Sequence, residues 1–155
     1  MAREKIWHYT TLGALQGIIN EGKIRCDQIY IDGEIPCVWL SVNQNWEETV
    51  RKSIKSTEEG VGTSQLSRDD LFSEGFYPIR IQVDPRIIKL SSWKSHCKKI
   101  PKTIIQILEA AAKDWGANPN EWRVSYSPIP LTSFILPIEI WNGKEWIELG
   151  DNLRK

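Results

Sequence analysis

The apolar positions at the start of the chain change from a strand pattern to a helix pattern within a few residues. Residues 5–10 are aromatic and partly alternating, which predicts a first strand. Either Thr10 or Thr11 can then cap a helix, and Gly22 can end it in the left-handed conformation. The apolar residues of this helix fall on one face and are Leu12, Leu15, Ile18 and Ile19.

The following stretch predicts shorter elements. Residues 24–31 are predicted to form a second extended piece, and residues 37–41 (CVWLS) a short apolar strand. Asn43 or Asn45 is expected to cap a helix that runs to about residue 52. Residues 53–66 are polar, contain glycine and show no period, so we expect a mobile loop there.

Helix and strand signals alternate in the middle of the chain. Ser67 with Asp70 resembles a capping box for a brief helical turn. Residues 77–83 alternate as a strand, and residues 87–90 are a candidate extension of it. Pro101 opens the clearest helix of the sequence. The apolar face of this helix consists of Ile104, Ile105, Leu108, Ala111, Ala112 and Trp115.

The C-terminal third turns to strands. Residues 121–126 form one candidate, and residues 134–141 and 144–149 flank Asn142-Gly143, a dipeptide typical of tight hairpins. The order of elements shows neither an internal repeat nor regular strand–helix–strand alternation.

This order predicts an α+β fold rather than a doubly wound one. We expect a single domain over residues 1–150, with a mixed or mostly antiparallel central sheet and flanking helices. Residues 151–155 would form a C-terminal tail. A chain of 155 residues is long enough to bury one proper core.

Charge and cysteine content exclude several classes of function. Lysine plus arginine and aspartate plus glutamate each number 20, so no overall field attracts the chain to nucleic acid or a membrane surface. The three cysteines lack CxxC spacing, which suggests neither a disulfide framework nor a metal site. The first residues form no long apolar run, so we expect no signal peptide or membrane anchor and a cytoplasmic location.

The N-terminal strand carries His8, one of only two histidines, between aromatic residues and beside two threonines. The run WHYTTLGALQGIINEGKI (residues 7–24) resembles the opening of the ADP-ribosyltransferase superfamily, where a strand with a His-x-Thr-like motif leads into a helix. It is also similar to uncharacterised bacterial families that begin with HYTS. The run VWLSVN (residues 38–43) resembles the second motif strand of that superfamily, as found in poly-ADP-ribose polymerases and tRNA 2′-phosphotransferases.

This resemblance implies an enzyme that uses NAD as its substrate and modifies a macromolecular acceptor, a protein or a nucleic acid. A toxin or defence role is among the functions it implies. His8 would bond the ribose on the nicotinamide side. The other NAD-binding candidates are Tyr9, Thr10, Arg25, Trp39, Ser41 and Arg123.

A later glutamate would stabilise the positive charge that forms on the ribose as the glycosidic bond breaks. Glu121 is the first candidate, because Arg123 lies two residues on and would share its face of a strand. Glu139 is the second candidate, within a strand of apolar neighbours. Glu47 and Glu48 are expected on a solvated helix face.

Two alternatives remain open on the sequence. The chain could be a non-catalytic interaction module of the same fold, in which tryptophans form a partner surface. It could also bind nucleic acid through a local basic and aromatic patch. The residues of that patch are Trp93, Lys94, His96, Lys98, Lys99 and Lys102.

Overall fold

The computed structural model is an α+β domain built on a seven-stranded sheet. It describes residues 4–27, 32–50, 52–55 and 63–150. The predicted tail, residues 151–155, and residues 28–31, which are half of the second extended piece, lie outside these ranges. Within them, none of the helices combines the length and the apolar character that crossing a bilayer requires.

The helices are α1 (Leu12–Glu21), α2 (Arg68–Ser73), α3 (Trp93–Cys97) and α4 (Lys102–Trp115). The strands of the large sheet are β1 (Ile6–Thr11), β3 (Val38–Ser41), β6 (Pro78–Val83), β7 (Ser91–Ser92), β8 (Trp122–Ser125), β10 (Phe134–Trp141) and β11 (Trp146–Glu148). Their order across the sheet is β11-β10-β6-β1-β3-β8-β7, and each neighbouring pair is antiparallel. Two small pairs complete the described strands: β2 (Lys23–Ile24) with β9 (Ile129–Pro130), and β4 (Lys52–Lys55) with β5 (Thr63–Leu66).

The two faces of the large sheet carry different cores. On one, the α1 face, Leu15 of the helix packs with Leu40 and Ile81 of the strands. On the other, the tryptophan face, Trp7 lies opposite Ser41, and Ser41 lies opposite Trp122. Because side chains alternate along a strand, these three side chains share one face across three strands. Two aromatic clusters cover this second face.

The helix ends follow the sequence signals. The Thr11 side chain accepts a hydrogen bond from the backbone of Ala14, which makes Thr11 the cap of α1, and Gly22 ends the helix at a φ of 79°. Ser67 and Asp70 form the predicted reciprocal capping box of α2. These predictions are confirmed because capping depends on side chains only a few residues away.

The predicted helix after Asn43 or Asn45 is wrong, since no helix follows β3 before residue 50. The Asn43 side-chain oxygen accepts hydrogen bonds from the backbone N–H groups of Asn45 and Trp46, as a cap would. Trp46 and Glu47 are both buried, however, and the Glu47 side chain accepts a hydrogen bond from the Thr49 backbone N–H. Side-chain bonds and burial therefore hold this segment in an irregular path.

Two further predictions need correction. Part of the predicted loop 53–66 is paired, because β4 and β5 form an antiparallel pair with Lys52 opposite Leu66. Residues 56–62 lie outside the described ranges, so their mobility remains a prediction. The predicted extension at residues 87–90 is not a strand, because Asp84 caps a turn there by accepting the N–H of Arg86 on its side chain.

The C-terminal hairpin is confirmed. β10 and β11 pair around Asn142-Gly143, and the Asn142 side chain accepts the backbone N–H groups of Lys144 and Glu145. Gly143 has a φ of 98° and lies against Phe72 of α2. The turn therefore packs on the helix and fixes the outer edge of the sheet.

Candidate functional site

A cavity of about 270 Å³ opens on the tryptophan face of the sheet, between the strands, helix α4 and residues 47–50. Its size is near the lower end of the range for small-molecule sites. Aromatic residues form the largest group in its wall, and they are Trp7, Tyr9, Trp39, Trp115 and Trp122. Glu47 also lines it, with aliphatic residues such as Leu40 and Leu108. We call this cavity the Glu47 pocket.

Glu47 is the charged group of the pocket and is only 6% exposed. Its Oε2 accepts hydrogen bonds from the Trp122 indole Nε1 at 3.0 Å, from the Thr49 hydroxyl at 2.7 Å and from the Thr49 backbone at 3.3 Å. Its Oε1 accepts one from the Ser41 hydroxyl at 2.8 Å. A carboxylate oxygen has two lone pairs, so Oε1 keeps acceptor capacity after bonding Ser41.

The aromatic walls hold one another in place. The rings of Trp39 and Trp122 meet edge to face, with centroids 5.8 Å apart. Tyr9 meets Trp46 edge to face at 5.2 Å, and its hydroxyl donates to the Asn43 carbonyl. Burial raises the pKa of the Tyr9 hydroxyl, so it stays protonated at neutral pH. The pocket is therefore a pre-formed cage.

The chemistry of the cage follows from its residue types. Indole and phenol faces attract cations through their quadrupoles, and a desolvated carboxylate attracts them more strongly. A flat ring can also fill the space between tryptophans with little loss of packing. The arrangement therefore suits a small planar ligand with a positive charge or an N–H donor.

His8 lies on the opposite face of the sheet from this cage. It is paired with Ile81 of the α1-face core, whereas its neighbours Trp7 and Tyr9 line the pocket. Its Nδ1–H donates to the Trp39 carbonyl at 3.0 Å, and burial lowers its pKa. Thr10 lies one position beyond Tyr9 in the same strand and is half-buried outside the pocket wall.

The two late glutamates also lie outside the pocket wall. Glu121 ends a 3₁₀ turn before β8, so the alternation expected to align it with Arg123 does not extend to it. It accepts a bond from the Asn43 side chain at 3.2 Å, while Arg123 donates to the backbone carbonyls of Asn120 and Trp122. The expected pairing of Glu121 with Arg123 is therefore replaced by separate partners.

Glu139 and Arg25 are engaged in ion pairs elsewhere. The Arg80 Nε donates to Glu139 at 2.6 Å, across neighbouring strands, and the Arg80 guanidinium lies 4.0 Å from the centre of the Trp7 ring. Arg25 forms a two-bond pair with Glu21 on the exposed end of α1. Neither Glu139 nor Arg25 lines the Glu47 pocket.

The structure thus divides the predicted site residues. Tyr9, Trp39 and Ser41 lie in the pocket wall, and the other candidates do not. Glu47 was missed because a Trp-Glu-Glu run after an asparagine has the appearance of a capped, solvated helix. The one sign in the sequence that Glu47 is buried is its neighbour Trp46, a large apolar residue. In the structure Trp46 is 3% exposed and ties the segment to the sheet.

The basic and aromatic patch is not a stacking surface. Trp93 and His96 are 5% and 2% exposed, and both pack with Trp39. Only the lysines of the patch face solvent. Bases would therefore find no exposed ring in this patch to stack on, while binding of nucleic acid by its exposed lysines stays a prediction. Across the described ranges, no group of three His, Cys, Asp or Glu side chains is placed to hold a metal ion.

Comparison of the chain with protein-family models, with curated proteins and with solved structures gave no match.

Proposed function

We propose that this chain binds a small planar cation in the Glu47 pocket, and that the ligand is the nicotinamide end of NAD⁺. The observation that carries the proposal is the buried Glu47 carboxylate in a wall of tryptophans. The nicotinamide ring of NAD⁺ is planar and positively charged, so it matches both features. The sequence resemblance to ADP-ribosyltransferases implies the same ligand, and three of the residues it singles out, Tyr9, Trp39 and Ser41, line the pocket, whereas His8 does not.

In this proposal Glu47 takes the role first expected of Glu121 or Glu139. When the bond between nicotinamide and ribose C1′ breaks, nicotinamide leaves with the bonding electrons and positive charge develops on the ribose. Glu47 would stabilise that charge, while a nucleophilic oxygen or nitrogen of an acceptor bonds to C1′ and loses a proton. The Ser41, Thr49 and Trp122 donors would hold the carboxylate still. His8 takes no part, because it lies on the other face.

The binding step is tested with a pair of probes that differ in charge. Tryptophan fluorescence and calorimetry would compare 1-methylnicotinamide, a cation, with neutral nicotinamide of nearly the same shape. We expect the cation to bind at least about tenfold more tightly, a difference of about 1.4 kcal/mol. Glu47→Gln should remove this preference while keeping the shape of the side chain.

Glu145→Gln is the matched control, because Glu145 is exposed in the hairpin turn. It should leave the preference unchanged. Thermal unfolding of Glu47→Gln confirms that the variant is folded before binding is compared. Equal affinity of the wild type for both probes would overturn the proposed ligand.

The catalytic step is tested by release of nicotinamide from NAD⁺. We expect slow release by the wild type with water as the acceptor, and a loss on the order of 10²-fold in Glu47→Gln. If NAD⁺ binds but is not cleaved with water or any acceptor mixture, the non-catalytic interpretation of the fold replaces the enzymatic one.

A further inference from the structure

A second cavity, of about 500 Å³, lies at the β7 edge of the sheet, where Ser91 of β7 and Ser125 of β8 line it. The turn after β6, the residues following α3 and the segment after β8 enclose it. Its polar wall consists of Lys89, Ser91, Lys99, Ser125, Tyr126 and Ser127. We call it the Lys99 groove. It shares no lining residue with the Glu47 pocket.

The charge in this groove has one sign. Lys89 and Lys99 line it, and none of its lining residues is acidic. The carboxylate of Asp84, on the turn after β6, is held by Arg86 at 3.0 Å, and the charge of Asp27 acts on His96 from outside the groove wall. Because the net charge of the whole chain is zero, the positive charge of the groove is a local feature of the surface.

The groove also has a tyrosine hydroxyl in a fixed position. The Tyr126 hydroxyl lies 2.6 Å from Nδ1 of buried His96, and the Tyr126 ring stacks on the imidazole. The Lys99 ammonium lies 4.6 Å from the centre of the Tyr126 ring. Burial and the nearby Lys99 lower the pKa of His96, so its ring is neutral at pH 7 and adds no charge of its own. The tyrosine is therefore held in one position beside the lysine.

The rest of the wall is apolar. Ile87, Ile88, Pro128 and Pro130 line it, and Ile87 is 58% exposed. The neighbouring serines are ordered by their own bonds, since the buried Ser125 hydroxyl donates to the Ser127 carbonyl at 2.6 Å and accepts the Ser127 N–H. A ligand in the groove would meet two cations and hydroxyl groups on one side and aliphatic surface on the other.

We infer that the Lys99 groove binds a phosphate group carried on a small apolar or aromatic body. Lysine ammonium groups recognise phosphate as point charges, and hydroxyl donors complete the shell. The aliphatic wall favours a phosphate ester over the free ion, because it removes apolar surface from water. This inference does not depend on the proposed function of the Glu47 pocket.

The probes are phenyl phosphate, inorganic phosphate and phenol, titrated into the ¹⁵N-labelled chain at constant ionic strength and followed by NMR. We expect saturable binding of phenyl phosphate at about 1 mM or tighter, about 4 kcal/mol. Inorganic phosphate should bind several-fold more weakly and phenol not measurably. The shifted amides should include those of Ser91, Lys99 and Ser127.

The double variant Lys89→Met with Lys99→Met should weaken phenyl phosphate binding at least about tenfold. Its matched control is Lys94→Met with Lys98→Met, which removes the same charge from exposed lysines outside the groove and should change the affinity less than about twofold. Tyr126→Phe, which keeps the ring, should weaken binding several-fold. Absence of saturable binding by the wild type, or equal losses in the two double variants, would overturn the inference.

Discussion

Trp122 donates its indole N–H to the Glu47 carboxylate at 3.0 Å, joining residues 75 positions apart in the chain. The bond links strand β8 to the irregular segment after β3. It also places the only carboxylate of the pocket wall against the tryptophan face of the sheet. The same contact therefore shapes the pocket and stabilises the fold.

Glu47→Ala is expected to lower the free energy of unfolding by about 2–3 kcal/mol. The substitution leaves the buried donors of Ser41, Thr49 and Trp122 without their acceptor, and each unpaired buried donor is costly. Urea unfolding measures the change. Glu145→Ala, at an exposed site, should stay within about 0.5 kcal/mol of the wild type. If Glu47→Ala lowered the free energy of unfolding as little as the control does, water would be accepting the hydrogen bonds in place of the carboxylate.

Stability is expected to fall as the pH drops below neutrality because of His8 and His96. Both have a pKa lowered by burial from the ordinary 6.5, so the unfolded chain binds more protons than the folded one in this range. The contribution of the two histidines to the free energy of unfolding is complete well above pH 6.5. It is lost as the pH falls through 6.5 toward their lower pKa in the folded chain. The free energy of unfolding cannot change by more than about 1.4 kcal/mol per pH unit for each histidine.

Urea unfolding between pH 5.5 and 8 measures this slope. His8→Phe keeps the ring volume and removes one of the two titrating groups, so the slope should decrease. An unchanged slope in the variant would assign the whole effect to His96 or to carboxyl groups.

Gly143→Ala is expected to destabilise the chain by more than about 1 kcal/mol. The position has a φ of 98°, and an added Cβ would lie 3.0 Å from a ring carbon of Phe72. Gly13→Ala is the control, because Gly13 lies in helix α1 with nothing within 4 Å of its Cβ position. That change should raise stability by about 0.5–1 kcal/mol. Thermal unfolding compares the two, and a stable Gly143→Ala would show that the turn tolerates another geometry.

Glu139→Gln is expected to reduce stability by about 1–2 kcal/mol and to leave ligand affinity in the Glu47 pocket unchanged. The carboxylate bonds Arg80, which in turn lies over the Trp7 ring, so its role is to hold strands β6 and β10 together. Glu148→Gln, directly across the pair from Glu139 and exposed, is the control. Loss of nicotinamide release without loss of stability would instead return Glu139 to the role of catalytic carboxylate.

The sequence by itself determined the local features of this fold. The cap of α1 at one of two adjacent threonines, its end at Gly22, the capping box at Ser67 and the hairpin at Asn142-Gly143 all depend on residues within one turn of each other. Short-range hydrogen bonds and glycine conformations decide them, so the pattern along the chain was enough. The strands β1, β3, β6, β8 and β10 also followed from alternation, and with them the α+β class.

Only the tertiary structure decided the path of residues 43–50 and the composition of the pocket. Trp46 and Glu47 are buried by strands and side chains far away in sequence, and their long-range bonds outweigh the local preference for a capped helix. Likewise, His8 and Tyr9 were predicted to share a site, but adjacent residues of a strand point to opposite faces. Which face of the sheet holds a cavity depends on what packs over it. Helix α4 and the Trp122 strand, about 100 residues further along the chain, decide this.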